Sequence, residues 1–373
     1  MVIADLQDTL EGAYLALPIH GDGGKLMLAT GTRLTKNVIR ALRSRGYTKV
    51  VIRKSLVPNL KPSNPISHRT RLQTETALDQ AANRLLTGQS PDLKQVFEAV
   101  DAIIADLWSN SGMSRGIVSI QTYDRNTYTH SINVCVLSIA IGDTLGWPLN
   151  KLRELGTAAL LHDIGKILIP VDLLNKPGPL TNEEYGLMKT HCEKGWEILC
   201  ECFNACEYVA RGALEHHERL DGSGYPRGLT ARDISDIGKI TTVADVYDAM
   251  TADRPHRKAI FPEAVYTHMN KCKGVLLDTA AVDALFSRVA LYPTGTILSL
   301  WGGYIAVVTG QDPRSNRRPL VRIIGGPGIT KPIDLALYSR PDIKINLLLK
   351  DYVPDGNRVI AGGLENVSSS SDS

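Results

Sequence analysis

Five of the nine histidines in this 373-residue chain fall in one ordered series with two aspartates. His130 stands alone and His162 is followed at once by Asp163. His191 comes next, then the adjacent pair His216-His217, and Asp245 closes the series. Neutral imidazole and carboxylate are ligands that borderline divalent ions accept. A catalytic ion commonly needs three protein ligands and a water, so this set is enough for two ions sharing a carboxylate. A fold that carries the series must bring its distant segments to one point. The chemistry expected there is metal-dependent hydrolysis.

The pentapeptide His162-Asp163-Ile164-Gly165-Lys166 says most about that point. It ends an apolar helical run, Ala158 to Leu161, so its polar groups are expected to face a buried site. Unpaired burial of such groups costs several kcal/mol, and a metal ion offers the compensating partner. A plain His–Asp hydrogen bond in a core would account for the dipeptide alone. It does not account for the other donors.

The rest of the chain reads as several units. Apolar content of 43% and charged content of 22% are those of a soluble globular protein. A net charge of +3 gives no support for a nucleic-acid polymer or a membrane surface as partner. No apolar run approaches the ~18–20 residues of a membrane span, and the N-terminus lacks a basic start and an apolar signal core. The expected location is cytoplasmic. The six cysteines include C-x-C-x3-C without a second CxxC pair, which argues against structural zinc and for reduced, buried thiols.

The expected fold class is mainly α: an all-helical catalytic domain flanked by a small N-terminal α/β unit and a small C-terminal β domain. Residues 1–56 hold strand candidates Gly12–Ala16, Lys25–Leu28 and Lys49–Ile52, with a helix from Thr35 to Arg45. Residues 57–112 start with a proline-rich linker (Pro58, Pro62, Pro65) and continue as a helical connector. Its apolar stripes, Ala77 to Leu86 and Leu93 to Leu107, could pack on the catalytic core or pair with a second subunit, and a homodimer is expected. The second stripe is opened by Ser90 and Pro91. Residues 113–290 read as helical, with a capping box at Thr181–Glu184, Pro262 in a first turn and Asp278 as a cap. Short β-type runs fill 291–350, where Arg314, Arg317 and Arg318 suggest a solvated turn, and 351–373 is a tail expected to be partly disordered.

Four more stretches complete the pattern: Thr129-His130-Ser131, Lys189-Thr190-His191, His216-His217-Glu218-Arg219-Leu220-Asp221-Gly222-Ser223-Gly224-Tyr225-Pro226, and Ala244-Asp245-Val246-Tyr247-Asp248 ahead of Asp253-Arg254-Pro255. The order His, His-Asp, His, His-His, Asp with a Gly-Tyr-Pro loop resembles the HD-GYP family, a branch of the HD phosphohydrolases that cleaves cyclic di-GMP. The resemblance covers 113–290, nearly half the chain.

Carried over by position, it implies that His130, His162, Asp163, His191, His216, His217 and Asp245 are metal ligands. Asp163 would bridge two ions, with His191, His216 and His217 on one side, and His162, Asp245 and His130 on the other. Three-metal members place a glutamate four residues before the first histidine. This chain has Asn126 there, a weaker ligand, so two ions are expected. Family habit favours iron or manganese, with zinc, nickel and magnesium left open.

The implied reaction is hydrolysis of cyclic di-GMP to pGpG, and on to GMP in some members, by a hydroxide bridging the two ions. Asp163 and Lys166 would be catalytic, Lys166 also as the cation on the phosphate. Tyr225, Arg254, Arg257, Gly222 and Gly224 would meet substrate, and the Gly-Tyr-Pro loop could also receive a protein partner. Asp248 and Glu218 are expected to orient ligands by hydrogen bonds. Two alternatives are a hydrolase of another cyclic dinucleotide and a weakly active sensor or adaptor.

Overall fold

The computed structural model describes residues 2–11, 13–15, 19–20, 26–29, 32–53, 65–91, 93–110, 128–201, 207–252 and 259–348. Asn126, Arg254, Arg257 and most of the proline-rich linker lie outside the described residues.

The N-terminal unit is an antiparallel sheet in the order β1 (Val2–Asp5), β5 (Lys49–Arg53), β2 (Tyr14–Leu15). A second two-stranded sheet pairs β3 (Ile19–His20) with β4 (Leu26–Leu28). Thr35 caps α1 (Lys36–Arg43) by accepting a hydrogen bond from the Val38 amide, as its position ahead of an apolar periodic run suggests. Leu15, Leu34, Ile39, Leu42 and Val50 form a small core of their own. Strand β1 was not foreseen, because its pairing partner lies across the whole unit, Val2 opposite Ile52.

Two helices, α2 (His68–Leu86) and α3 (Leu93–Asn110), follow. Their stripes are buried against later helices of the same chain. Leu78, Ala81, Val96, Val100, Ile103, Ile104 and Leu107 join the main core. Most of the apolar surface on which the pairing expectation rested is therefore used within the chain, while Leu86 and Phe97 stay exposed. Arg153 fixes α3 to α5 (Leu149–Leu160) through both oxygens of Asp101, at 2.5 and 3.1 Å.

The centre of the molecule is α4 (Thr129–Thr144), buried from Ile132 to Gly142. A helix apolar on every side belongs inside a bundle, and α4 is enclosed by α5, α10 (Asp236–Thr251) and α12 (Thr279–Arg288). Between them come α6 (Val171–Leu174), α7 (Asn182–Lys189), α8 (His191–Glu201), α9 (Glu207–Glu215) and α11 (Pro262–Cys272). The Thr181–Glu184 capping box, the Pro262 first turn and the Asp278 cap all form.

The C-terminal unit is a five-stranded antiparallel sheet in the order β10 (Ile345–Leu348), β6 (Ile297–Leu300), β7 (Tyr304–Asp312), β8 (Ser315–Gly325), β9 (Ile333–Ala336). The three arginines are largely solvated as expected, with Arg314 and Arg317 exposed, and they also make contacts. Arg314 grips Asp312, Arg317 reaches the Tyr266 hydroxyl and ring on α11, and Arg318 donates to the carbonyls of Leu337, Arg340 and Ile343. Among the described residues, no helix is long and apolar enough to cross a membrane.

Candidate metal centre

Three of the five histidines stand one or two residues beyond the end of a helix and bond back to one of its carbonyls. His162 follows α5, His191 follows α7 and opens α8, and His216 follows α9. The last carbonyls of a helix have no intrahelical partner. Here the imidazoles take them: His162 Nδ1 donates to Ala159 O at 2.7 Å, His191 Nδ1 to Met188 O at 2.6 Å and His216 Nδ1 to Ala213 O at 2.9 Å. A neutral ring whose Nδ1 carries the proton has a lone pair on Nε2. Each helix end thus orients one donor nitrogen inward, and its negative dipole end favours a cation there.

Those nitrogens meet around Asp163. His191 Nε2 lies 3.4 Å and His216 Nε2 3.6 Å from its Oδ1, while His162 Nε2 lies 3.5 Å and His130 Nε2 3.8 Å from its Oδ2. Asp245, from the buried face of α10, approaches His130 Nε2 at 3.2 Å. Two donor groups result, one of His130, His162 and Asp245 and one of His191, Cys192, His216 and His217. Asp163 turns one oxygen to each. His162 Nε2 and Asp163 Oδ1 are buried without a hydrogen-bond partner. Such atoms are costly in a core, and a bound cation would satisfy both, so the donor set fits divalent metal.

Charge is distributed to match. Burial foremost presses His162 down to about 3, His191 to about 4 and His217 to about 2, so these rings are neutral. Burial works to raise Asp163, but Lys166 and the adjacent imidazoles outweigh it and hold the carboxyl well below its usual range. Asp245 is likewise held low against burial, by the hydrogen bond with His130. His130 is the exception. Burial opposes its charge, yet Asp245 and Asp248 push it up to about 10.

Surrounding residues brace the donors. Asp248 accepts from His130 Nδ1 at 2.7 Å and from Asn133 at 2.9 Å, so it orients a ring as expected. Glu218 does something else. It accepts the Arg227 and Leu229 amides at 2.8 and 2.9 Å, tying down the Gly-Tyr-Pro loop instead of a ligand. Glu215 accepts both the amide and hydroxyl of Ser235, the cap of α10, and so sets α10 against the end of α9.

Lys166 Nζ lies 2.5 Å from Asp163 Oδ2. Tyr225 stacks on His217 with ring centres 4.7 Å apart, and its amide donates to the His217 carbonyl. Gly222 turns the loop, and Gly224 lies so close to the chain that a Cβ there would stand 2.5 Å from Glu218 Cα. The seven expected ligands, Lys166 and Tyr225 are therefore brought together, while Gly222 and Gly224 shape the loop that carries Tyr225. Sequence reading missed Cys192, set aside as an ordinary buried thiol although it adjoins His191. It also missed Gly165, whose added Cβ would meet the His191 carbonyl oxygen at 2.0 Å.

A helical bundle built around a buried His-Asp pair, with further histidines supplied by helix ends, defines an HD-type protein. The HD domain family model matches residues 117–280. A cyclic di-GMP phosphodiesterase of Pseudomonas aeruginosa is 33% identical over 336 residues, covering 84% of this chain and 81% of that protein. A cyclic di-GMP phosphodiesterase of Thermotoga maritima is 41% identical over 162 residues, 43% of this chain and 44% of its own length. The 3'3'-cGAMP-specific phosphodiesterase 1 of Vibrio cholerae is 39% identical over 163 residues, 44% and 36% of the two chains. The chain belongs to the HD-GYP branch of the HD domain family.

Proposed function

We propose that this protein is a metal-dependent phosphodiesterase that opens cyclic di-GMP to linear pGpG. The observation that carries the reading is the pair of donor groups sharing Asp163, with two buried acceptor atoms left for a cation. His191, His216 and His217 would hold one ion, His130, His162 and Asp245 the other, and Asp163 both. Bound divalent ions supply Lewis acidity toward a phosphoryl oxygen and a nucleophile from water at neutral pH. Iron or manganese is the expected pair.

The chain's own residues do the rest. Asp248 keeps the His130 ring turned so that Nε2 faces the site. Lys166, half-exposed beside Asp163, is placed to meet a phosphoryl oxygen at the site's edge. Tyr225 holds His217 by its face and presents its other edge to the opening, where a guanine base could rest. Arg254 and Arg257 belong to the same reading as phosphate contacts. Cytoplasmic location, a homodimer and a protein partner at the Gly-Tyr-Pro loop are also part of it. Light scattering at micromolar concentration tests the dimer, and a monomer refutes it.

Likeness to the cGAMP-specific relative favours one second reading, a mixed guanine–adenine cyclic dinucleotide as substrate. Protein loaded in turn with iron, manganese and zinc is incubated with each dinucleotide, and products are followed by chromatography. Faster conversion of cyclic di-GMP to pGpG is expected. Faster conversion of the mixed compound selects the second reading, and no product with any metal refutes both. Asp163→Ala should abolish turnover while leaving the helical circular dichroism unchanged.

A further inference from the structure

We propose that Cys192 is a metal ligand, its Sγ joining His191, His216 and His217 so that this half of the centre favours zinc or cobalt over manganese. This deepens the metal-site reading above and depends on it.

The argument is geometric. Side chains adjacent on a helix do not normally face each other. Yet Cys192, the residue after His191 at the start of α8, brings its Sγ to 3.5 Å from His191 Nε2. The Met188 carbonyl causes this by holding His191 Nδ1 and turning the ring back over its neighbour. His191 Nε2 is in turn 3.3 Å from His216 Nε2. Two ligands set near the tetrahedral angle on one ion, with nitrogen at 2.0–2.1 Å and sulfur at 2.3 Å, stand about 3.4 Å apart for N···N and about 3.6 Å apart for N···S. The observed 3.3 and 3.5 Å match those separations.

The donor atoms of all four side chains lie within 4.8 Å of one another. The thiol is fully buried, so solvent does not compete for it. A second observation points to a cation independently of the cysteine. Asp163 Oδ1 is buried with no hydrogen-bond partner and lies 3.4 Å from His191 Nε2 and 3.6 Å from His216 Nε2, so it faces this half of the centre. Fully buried His162 Nε2, also unpartnered, groups with the same Asp163 and His216. Thiolate is the soft member of this donor set. Soft ligands select zinc over manganese and magnesium, which take carboxylate and water. The two halves of the centre would therefore differ in metal preference, since the His130, His162, Asp245 half has no sulfur.

The test uses full-length protein. Zinc-loaded wild type is examined by X-ray absorption fine structure, which should show a sulfur scatterer at about 2.3 Å. Cobalt-loaded wild type should show a near-ultraviolet sulfur-to-cobalt charge-transfer band. That band should vanish in Cys192→Ala and survive in Cys272→Ala. Cys192→Ser should lower zinc affinity relative to manganese by at least about tenfold.

A zinc shell of nitrogen and oxygen only, or a band that persists in Cys192→Ala, overturns the proposal whether or not that variant folds well. Failure of the wild type to bind zinc, cobalt or manganese at all overturns the metal-site reading itself. Metal held without sulfur overturns only the role of Cys192.

Discussion

Gly165→Ala isolates one requirement of the centre, the close approach of the turn after α5 to the start of α8. The methyl group would stand 2.0 Å from the His191 carbonyl oxygen, 2.6 Å from the Gly195 amide nitrogen and 2.9 Å from the His191 carbonyl carbon. Each is a backbone atom, so no side chain can swing away. Ordinary contact begins at 3.4 Å, so the two segments must part by roughly 1.4 Å. Asp163 lies two residues from the new methyl, and His191 carries the nitrogen now 3.4 Å from Asp163 Oδ1. The shift therefore falls on the pair that would share an ion. Misplacement by 1 Å can cost about a hundredfold in rate, and overpacking costs about 1–3 kcal/mol. For a domain of 150–250 residues that corresponds to a Tm lower by about 2–12 °C. Gly186→Ala is the control, because nothing lies within 4 Å of its Cβ inside α7, and alanine there should stabilise the helix slightly. Metal content after gel filtration, Tm and dinucleotide turnover are measured on both. If Gly165→Ala matches Gly186→Ala in metal content and melts within about 1 °C of it, the close approach does not hold the centre.

Three further outcomes follow from the same geometry. Metal-free protein should melt at lower temperature than protein with metal at a hundred times its Kd, by the temperature equivalent of about 2.7 kcal/mol; equal melting curves would contradict the fit of the unpartnered atoms to a cation. His130, ordinarily 6.5, is raised to about 10 in the folded metal-free protein. Its charge-linked stability is thus fully present below pH 6.5 and lost as pH rises through 10. Tm of the metal-free protein should fall as pH rises from 6.5 to about 10 and level off above it, and Asp248→Asn should flatten that fall; a slope unchanged by the substitution would place its source elsewhere. Glu218→Ala should leave the Arg227 and Leu229 amides unpaired and speed tryptic cleavage at Arg227, with cleavage at the wild-type rate counting against the tie to the loop.

Much of the helical scaffold could be read from local signals. The Thr181 capping box, the Thr35 and Asp278 caps and the Pro262 first turn depend on neighbours within three residues, and all form. The convergence of the His-Asp series was also legible, because no other role accommodates so many donors in that order. What escaped depends on contacts made across the chain. Strand β1 exists only against β5. Helix α3 starts at Leu93 and not at Ser90-Pro91, since Ser90 gives its carbonyl to Arg84 of α2. Arg317 reads only as a solvated charge until α11 places Tyr266 beside it. Glu218 looked like a ligand brace by its position next to His217, yet its carboxylate faces the loop nine to eleven residues ahead.

The donors are prepared for a cation before one arrives. Ligating imidazole must be neutral and ligating carboxylate ionised. Burial keeps His162, His191 and His217 neutral, and the same burial would protonate Asp163 and Asp245 if no positive charge stood near. Lys166 supplies that charge beside Asp163, and His130 supplies it beside Asp245. They occupy the role a divalent ion would take, and their behaviour on metal entry must differ. His130 has to release the proton that Asp245 and Asp248 stabilise, because its Nε2 is the donor. Lys166 would instead leave Asp163 Oδ2 with its charge kept, its side chain being half-exposed. The ammonium would stay near Asp163, and it is from that position that Lys166 is proposed to meet the phosphate. Lys166→Met should accordingly weaken substrate binding and raise Asp163 toward the ordinary carboxylate range in the metal-free state, whereas a purely structural lysine would alter only the second.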